Sequence, residues 1–283
     1  MDSRTLGSKA VSFLRLFRLG NCAMGAVGTL LAVIVCVGVT DLREYAAETV
    51  LSMVVVVMFT AAGNSLNDYY DRETDKRAHP ERPIPSGRLT PHEVVYASVA
   101  LFTFALVISV AITIPSFAIV ATSILVMFAY ERWLKAEGFA GNLAIGWLTG
   151  ALFLFGGAAV GGLKIAWILA ALAFLATLGR EIVKDIQDIE GDRSSRRTLP
   201  MRIGKDRAGY VASASFLAAV ALSPLPYLQN LLSVWYTPAV AVADGIFIYC
   251  SLILFRNPAN GQQIAKLAMV VALLAFLLGG IIK

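Results

Sequence analysis

The sequence predicts an all-α membrane protein in which nine helices cross the bilayer. Hydrophobic residues make up 58% of the 283 residues and charged residues only 15%, a balance that a water-soluble core of this size does not need. Apolar runs of about 20 residues, long enough to cross a bilayer, recur from one end to the other. Lys and Arg residues are also distributed unevenly between these runs, as in membrane proteins with a fixed orientation.

The apolar runs define the nine predicted spans in chain order. They lie near residues 19–40, 46–68, 92–113, 115–132, 139–162, 165–184, 208–226, 231–255 and 264–282. The first run is too long for the apolar part of a signal peptide and has no small-residue cleavage site, so we expect it to stay in the protein. We therefore expect residues 1–283 to form a single transmembrane domain.

Positive charge predicts the orientation of the bundle in a cell membrane. When the segments between spans are assigned to alternate sides, 21 of the 24 Lys and Arg residues lie on the side of the N-terminus. The positive-inside rule places that side in the cytoplasm and the C-terminus outside, which requires an odd number of helices. The net charge of +5 thus reflects orientation and does not indicate a nucleic-acid partner. The sequence shows no sign of an obligate protein partner either.

Acidic residues concentrate at the cytoplasmic ends of the second and sixth spans, where ionisable residues are costly and often functional. The second span ends in NDxxDxxxD, which comprises Asn67, Asp68, Asp71 and Asp75. The sixth ends in DxxDxxxD, which comprises Asp185, Asp188 and Asp192. Offsets of 0, 3 and 7 fall within about 60° on a helix. Each triplet is therefore predicted to form a ridge of carboxylates on one face of its helix end.

These ridges predict a magnesium-bound phosphate or diphosphate. Carboxylates this close repel one another, so a multivalent cation between them is expected. Because neither motif contains His or Cys, the donors favour a hard cation such as magnesium, which bridges carboxylates to phosphate oxygens. Some surrounding basic residues should hold phosphate oxygens, although they could instead set topology or form surface ion pairs. They are Arg72, Lys76, Arg77, Arg82 and Arg88, and Arg180, Lys184, Arg193, Arg196 and Arg197.

A third polar segment, YERWLKAEGFAGN, closes the fourth span on the same side. Its Tyr130 and Lys135 could reach the same site, or could be interfacial anchors. Asp68 and Asp185 are four helices apart, and each motif is followed by a loop with Arg and Pro. This spacing predicts two similar halves, about 15–135 and 136–256, with the ninth helix completing the bundle.

The two aspartate motifs and the YxxxxK followed by GN resemble the UbiA superfamily of intramembrane prenyltransferases, and the resemblance spans the chain. It implies a bundle whose central cavity opens to the cytoplasm and laterally to lipid. The tail of a prenyl diphosphate would lie inside this cavity. The active site would thus face the cytoplasm.

The resemblance also implies a role for each motif residue. Two magnesium ions would be bound by Asn67, Asp71, Asp75, Asp188 and Asp192, with Asp68 and Asp185 beside them. The diphosphate would contact Arg72, Lys135 and Arg180, and Lys184 is expected to assist. Tyr130 would lie near the allylic carbon.

The implied chemistry is the departure of diphosphate from an allylic carbon. Magnesium and the basic groups would stabilise the charge that develops on the diphosphate. The allylic cation left behind could be stabilised by the phenol oxygen of Tyr130 and by aromatic faces. Weaker aromatic candidates are Tyr69, Tyr70, Phe128 and Trp147.

The motifs do not identify the acceptor, which within the superfamily can be hydroxybenzoate, naphthoate, homogentisate, a porphyrin or a glycerol phosphate lipid. The segments FLRLFRLGNCAMGAVGTLLAV and KDIQDIEGDRSSRRTLP look most like those of archaeal members that build ether lipids. This resemblance implies transfer from geranylgeranyl diphosphate to the glycerol hydroxyl of geranylgeranylglyceryl phosphate. An aromatic acceptor such as 4-hydroxybenzoate is the alternative.

Two other classes of membrane protein fit less well. A transporter would carry coupling acids near the midplane, where only Asp244 lies deep in a predicted span. That residue could be a structural acid, a gate or part of a cavity wall. A phosphatidyl transferase that uses a cytidine diphosphate alcohol would carry DG and AR before GxxxDxxxD, and that order is absent. We therefore expect a prenyltransferase.

Overall fold

A computed structural model describes residues 3–192 and 196–281, and within these ranges nine helices are long and apolar enough to cross a membrane. A further helix, α1 (Ser3–Phe17), precedes them. The nine are α2 (Leu19–Val37), α3 (Ala46–Ala78), α4 (Pro91–Ile112), α5 (Ile114–Arg132), α6 (Phe139–Ala159), α7 (Leu163–Gln187), α8 (Lys205–Leu222), α9 (Tyr236–Ile253) and α10 (Pro258–Ile281). The prediction of an all-α protein with nine spanning helices is confirmed.

The N-terminal segment forms the amphipathic helix α1, which lies against α3 and α4. Its Leu16 is buried beside Leu89 and Val94, and Lys9 Nζ lies 2.5 Å from Glu93 Oε1 at the start of α4. The chain then turns into α2 through Arg18, which has a positive φ of 52°. This turn at Arg18, which we call the elbow, connects the first spanning helix to α1 and so to the helices that α1 contacts.

The spanning helices close a ring. Helices adjacent in sequence pack side by side from α2 to α10, and α10 returns to α2. Contacts of α2 with α6 and of α7 with α10 cross this ring and divide its interior. Glycines allow two of the approaches: a Cβ at Gly156 would lie 2.8 Å from Ala32 Cβ, and one at Gly280 would lie 2.9 Å from Val35 Cα. Such small residues let helix backbones pack closely in membranes.

Local sequence signals determine where several helices begin. The Thr90 hydroxyl and the Glu93 side chain cap one another's backbone N–H groups in a capping box, with Pro91 as the first residue of α4. At the start of α5, the Thr113 hydroxyl accepts a hydrogen bond of 3.1 Å from Ser116 N, and Pro115 lies in the first turn. These caps fix the turns on which the neighbouring helices reverse direction.

The helix that carries the first aspartate motif is longer than its apolar run. α3 has 33 residues and therefore measures about 50 Å, whereas the hydrocarbon core of a bilayer is about 30 Å thick. The sequence placed the end of the apolar run near residue 68, but the helix continues to Ala78. The motif thus projects beyond the apolar part of the bundle on a rigid helix.

Candidate active site

The first aspartate motif lies entirely within α3. Asp68 and Asp75, two turns apart, are buried, whereas the side chain of Asp71 is about one-third exposed, at 32%. A buried carboxylate needs a partner of opposite charge or several hydrogen bonds. The three acids consequently face different partners.

Two arginines from outside α3 neutralise the buried pair. Arg82, in the loop after α3, lies 2.6 Å from Asp75 Oδ2 and 3.6 Å from Asp68 Oδ1. Arg18, at the elbow between α1 and α2, also forms an ion pair with Asp68. Asn64 Nδ2 donates to the Phe17 carbonyl at 2.8 Å, one turn before Asp68. The buried carboxylates therefore hold both the elbow and the loop against α3.

Asp71 belongs to a separate network that joins α3 to the end of α5. Lys135 Nζ lies 2.6 and 2.8 Å from the two Asp71 carboxylate oxygens and 3.3 Å from Glu131 Oε2. Asn67 Nδ2 donates to both Glu131 oxygens, at 3.0 and 3.2 Å. The structure thus brings Lys135 to the first motif.

Two residues of the site, Glu131 and Arg18, were missed by the sequence reasoning. Glu131 follows Tyr130 directly and is only 7% exposed. An acid at the apolar end of a spanning helix was the signal that could have singled it out. Arg18 gave no comparable signal, because its partner Asp68 lies 50 positions further along the chain.

The second motif is not one continuous helical ridge. α7 ends at Gln187 with Asp188 as its C-cap residue, and a separate short helix covers Ile189–Asp192. The prediction that Asp185, Asp188 and Asp192 share one helix face is therefore wrong, because the axis is interrupted between the first acid and the last. Asp185 is buried and accepts a hydrogen bond of 2.8 Å from Asn142 Nδ2, while Asp188 is half-buried. The side chain of Asp192, and Arg193, lie outside the described residues.

Loops from the two halves of the chain meet beside Tyr130. Arg197 N donates to the Ala136 carbonyl at 3.1 Å, and the absence of a Cβ at Gly138 leaves room for this segment. Half-buried Tyr130 lies within electrostatic range of Asp71 on α3, Glu181 on α7 and Arg196 in the loop after the second motif. Charged groups from both motif regions therefore act on one phenol.

Three further basic residues were expected to contact phosphate, and two of them bind other partners in the structure. The Arg72 guanidinium lies 4.5 Å from the centroid of the Tyr69 ring and donates to the Tyr69 carbonyl at 2.7 Å. Arg180 forms an ion pair with its neighbour Glu181. Lys184 is half-buried on the last turn of α7. Reaching a shared anion would require Arg72 and Arg180 to exchange these partners.

A cavity of about 680 Å³ lies between α2, α3, α5 and α6. Polar side chains line its end near the first motif, and they are Arg18, Asn21, Asn64, Asn67, Tyr130 and Glu131. Apolar side chains line the remainder, among them Val55, Val120, Leu148, Leu152 and Phe155. A molecule with a polar head and a long apolar tail fits this division.

The donor atoms at this polar end and on the following turns of α3 suit a hard cation. The candidate ligands are carboxylate and amide oxygens, without His or Cys, which is the donor set that magnesium prefers. Within the described parts of the chain, no three acids, His or Cys lie close enough to hold an ion by themselves. Magnesium usually retains several waters and binds through one or two carboxylates plus substrate phosphates. Asp71 and Asp75, now neutralised by Lys135 and Arg82, are suited to that sparse coordination.

Comparison with known proteins identifies the family to which the chain belongs. A family model described as the UbiA prenyltransferase family matches residues 26–278. The digeranylgeranylglyceryl phosphate synthase of Methanosarcina mazei is 39% identical and aligns over 95% of this chain and 98% of its own. The enzyme of the same name from Natronomonas pharaonis is also 39% identical, over 93% of this chain and 95% of its own. The chain is therefore a prenyltransferase.

Solved structures show the same fold. A structure of digeranylgeranylglyceryl phosphate synthase superimposes with a TM-score of 0.91 at 33% identity, covering 97% of this chain and 99% of the other. A UbiA homologue from Archaeoglobus fulgidus, bound to GPP and Mg²⁺, superimposes with a TM-score of 0.65 at 17% identity, covering 96% and 100%. At that identity the second comparison establishes the fold alone.

Proposed function

Because the chain belongs to the UbiA prenyltransferase family, we propose that it transfers a geranylgeranyl group from geranylgeranyl diphosphate to the glycerol hydroxyl of geranylgeranylglyceryl phosphate. The observation that carries this proposal is the cavity of about 680 Å³, which has a charged and amide-lined mouth and an apolar interior. The substrate assignment is supported by relatives named digeranylgeranylglyceryl phosphate synthase, which align over nearly the whole chain.

The donor would bind with its head at the mouth and its chain in the apolar interior. We propose that Asn67, Asp71, Asp75, Asp188 and Asp192 hold two magnesium ions there, with Asp68 and Asp185 supporting them. The magnesium-bound UbiA homologue supports the choice of metal. Bound magnesium supplies positive charge that stabilises the departing diphosphate. Lys135 lies next to Asp71 and would bind a diphosphate oxygen. Arg72, Arg180 and Lys184 would add further positive charge.

The reaction exchanges one carbon–oxygen bond for another. The bond between the allylic carbon and diphosphate breaks, and its electron pair leaves with the diphosphate. The acceptor hydroxyl oxygen then bonds to the allylic cation and loses its proton to diphosphate or water. The half-buried phenol of Tyr130 lines the cavity at its polar end, where its oxygen and ring can stabilise that cation.

Orientation follows from charge. We propose that the mouth of the cavity faces the cytoplasm, because the loops on the motif side carry most of the Lys and Arg residues. In sealed vesicles with the cytoplasmic face outward, added substrates should be consumed without detergent. Consumption only from the opposite face would reverse the proposed orientation.

The proposal is tested by incubating the purified protein with geranylgeranyl diphosphate and magnesium, and either geranylgeranylglyceryl phosphate or 4-hydroxybenzoate. We expect diphosphate release and a digeranylgeranyl product mass with the glycerol phosphate acceptor only, and chelation should stop both. Asp71→Ala and Asp188→Ala should each lower turnover at least about 100-fold, as expected when transition-state charge loses its stabilisation. Asp206→Ala, at an exposed site on α8, is the matched control. Product from the aromatic acid alone would contradict the proposed acceptor.

A further inference from the structure

A second cavity, of about 240 Å³, lies inside the other part of the ring, among α6, α7, α8, α9 and α10. Its walls are almost wholly apolar and include Leu169, Ala173, Val240, Phe247, Leu273 and Phe276. Thr149 and Phe153 of α6 line both this cavity and the larger one. The two spaces thus meet across one face of a single helix.

The proposed reaction needs more apolar space than the larger cavity offers. Its 680 Å³ falls in the range of about 300–1,000 Å³ that is typical of a pocket for one small-molecule ligand. Donor and acceptor each carry a geranylgeranyl chain, and both must place their reacting ends at the same mouth. A second apolar space beside the larger cavity would let one of the two chains continue beyond it.

Each polar side chain that lines the second cavity, Thr149, Ser223 and Asp244, has at least one hydrogen-bond partner. The Ser223 hydroxyl donates to Asp244 Oδ2 at 2.7 Å, and the Tyr236 hydroxyl donates to the Ser223 carbonyl at 2.7 Å. Asp244, the deep acid noted in the sequence, is thus a hydrogen-bonded cavity-wall residue. A hydrocarbon chain would fill the space without leaving a polar group of its own unpaired. Val270, which is 56% exposed on α10, also borders the cavity, so the cavity lies close to the outer surface of the bundle.

We propose that the second cavity binds the isoprenoid chain of the lipid acceptor, which passes between the two spaces at Thr149 and Phe153. The donor chain occupies the larger cavity, whose polar end carries Asn67 and Tyr130. This inference rests on the proposed function, because only a lipid acceptor brings a second long chain. It explains why an apolar space lies next to the active-site cavity.

The test fills the second cavity and measures each substrate separately. Ala173→Phe on α7 and Ala272→Phe on α10 both place a ring in this cavity. Ala171→Phe, two positions earlier on α7 and outside both cavity walls, is the matched control. Thermal unfolding of all three variants identifies any that fail to fold. Two filling variants from different helices keep the test valid if one of them is unstable.

We expect the KM for geranylgeranylglyceryl phosphate to rise about tenfold in the filled variants, the loss expected when about two buried methylene groups lose their contacts. The KM for geranylgeranyl diphosphate should stay at the wild-type value. With a geranyl chain on the acceptor, which is too short to reach the second cavity, the filled variants should behave as wild type. Ala171→Phe should leave the KM for geranylgeranylglyceryl phosphate, the KM for geranylgeranyl diphosphate and the KM for the geranyl acceptor unchanged.

Two results would overturn the inference. A rise in the KM for geranylgeranyl diphosphate, abolished with geranyl diphosphate, would place the donor chain in the second cavity. If the filled variants and Ala171→Phe had the same KM values for both substrates, only bulk lipid would occupy the second cavity. Equilibrium binding of geranylgeranylglyceryl phosphate, measured without donor, separates this inference from the proposed function. Weaker binding in Ala173→Phe supports the cavity assignment even if no product forms, and unchanged binding contradicts it.

Discussion

The smallest unit of the site is the contact between Asn67 and Glu131, in which one side chain orients another. The Asn67 amide nitrogen donates to both carboxylate oxygens of Glu131, so its carbonyl oxygen is directed elsewhere and is available to a cation. The assignment of the amide atoms follows from this hydrogen-bond network. In the proposed metal site, Glu131 would therefore be a positioning residue that acts on magnesium through Asn67.

Replacing Glu131 by Ala should raise the magnesium concentration needed for half-maximal activity by about tenfold, a loss typical of residues that orient metal ligands. A titration of diphosphate release against magnesium measures this shift. Glu131→Gln, whose carbonyl oxygen can still accept from Asn67, should restore most of it. Arg132→Ala, at the exposed neighbouring position, controls for changes at the helix end. If Glu131→Ala lowered the maximal rate without changing the magnesium dependence, its role would be only structural.

The sequence predicted the site residues unevenly, for physical reasons. Asp71 and Lys135 could be predicted, because charges at the ends of apolar runs are rare and conspicuous. The sequence could not predict which residue would form an ion pair with each charged group. Arg18 reaches Asp68 from a distant elbow, whereas Arg72 turns to the Tyr69 ring on its own helix. Local spacing carries no information about these partners.

At the scale of elements, the turn between α5 and α6 contacts the loop after the second motif. This contact joins the two parts of the site. Gly138 adopts a positive φ of 58°, and a Cβ there would lie only 2.5 Å from the Arg197 carbonyl oxygen. This turn also carries Lys135, which binds Asp71. A displacement of the loop would therefore change the positions of residues at both motifs.

Gly138→Ala should lower the thermal unfolding temperature and reduce turnover, because the added methyl group meets backbone atoms that cannot rotate away. Strain of this kind costs about 1–3 kcal/mol. Gly161→Ala is the matched control, since Gly161 has a positive φ of 72° with nothing within 4 Å of its Cβ position. It should lose stability from backbone strain but keep its turnover. Equal turnover in both variants would show that the loop contact does not influence the site.

The elements themselves were mostly predictable, and the exceptions occur at the motifs. Apolar runs identified all nine spans, because each must satisfy its backbone within a helix. The apolar run near 46–68 covers only part of α3, and the aspartate spacing predicted the helical continuation to Asp75, because polar residues that extend a helix outside the bilayer give no hydropathy signal. The break after Gln187 was not foreseen, because DxxDxxxD is compatible with an unbroken helix.

At the scale of the whole molecule, the ring of helices creates two interior spaces that share a wall on α6. The α2–α6 contact that separates these spaces depends on close backbone approach at Gly156. Hydropathy could predict a bundle but not this division, which arises from packing between helices far apart in the chain. The predicted similarity of the two halves of the chain stays a prediction.

The central claim is that acids from α3 and from the end of α7 act on one metal-bound diphosphate at the mouth of the larger cavity. The most direct measurement is a crystal structure with manganese and a non-hydrolysable thio-analogue of geranylgeranyl diphosphate, using anomalous scattering to locate the metal. We predict manganese between the diphosphate and the Asp71 and Asp188 carboxylates, with Lys135 moved from Asp71 to a diphosphate oxygen. Manganese on one motif alone, or a diphosphate bound away from both, would contradict the account.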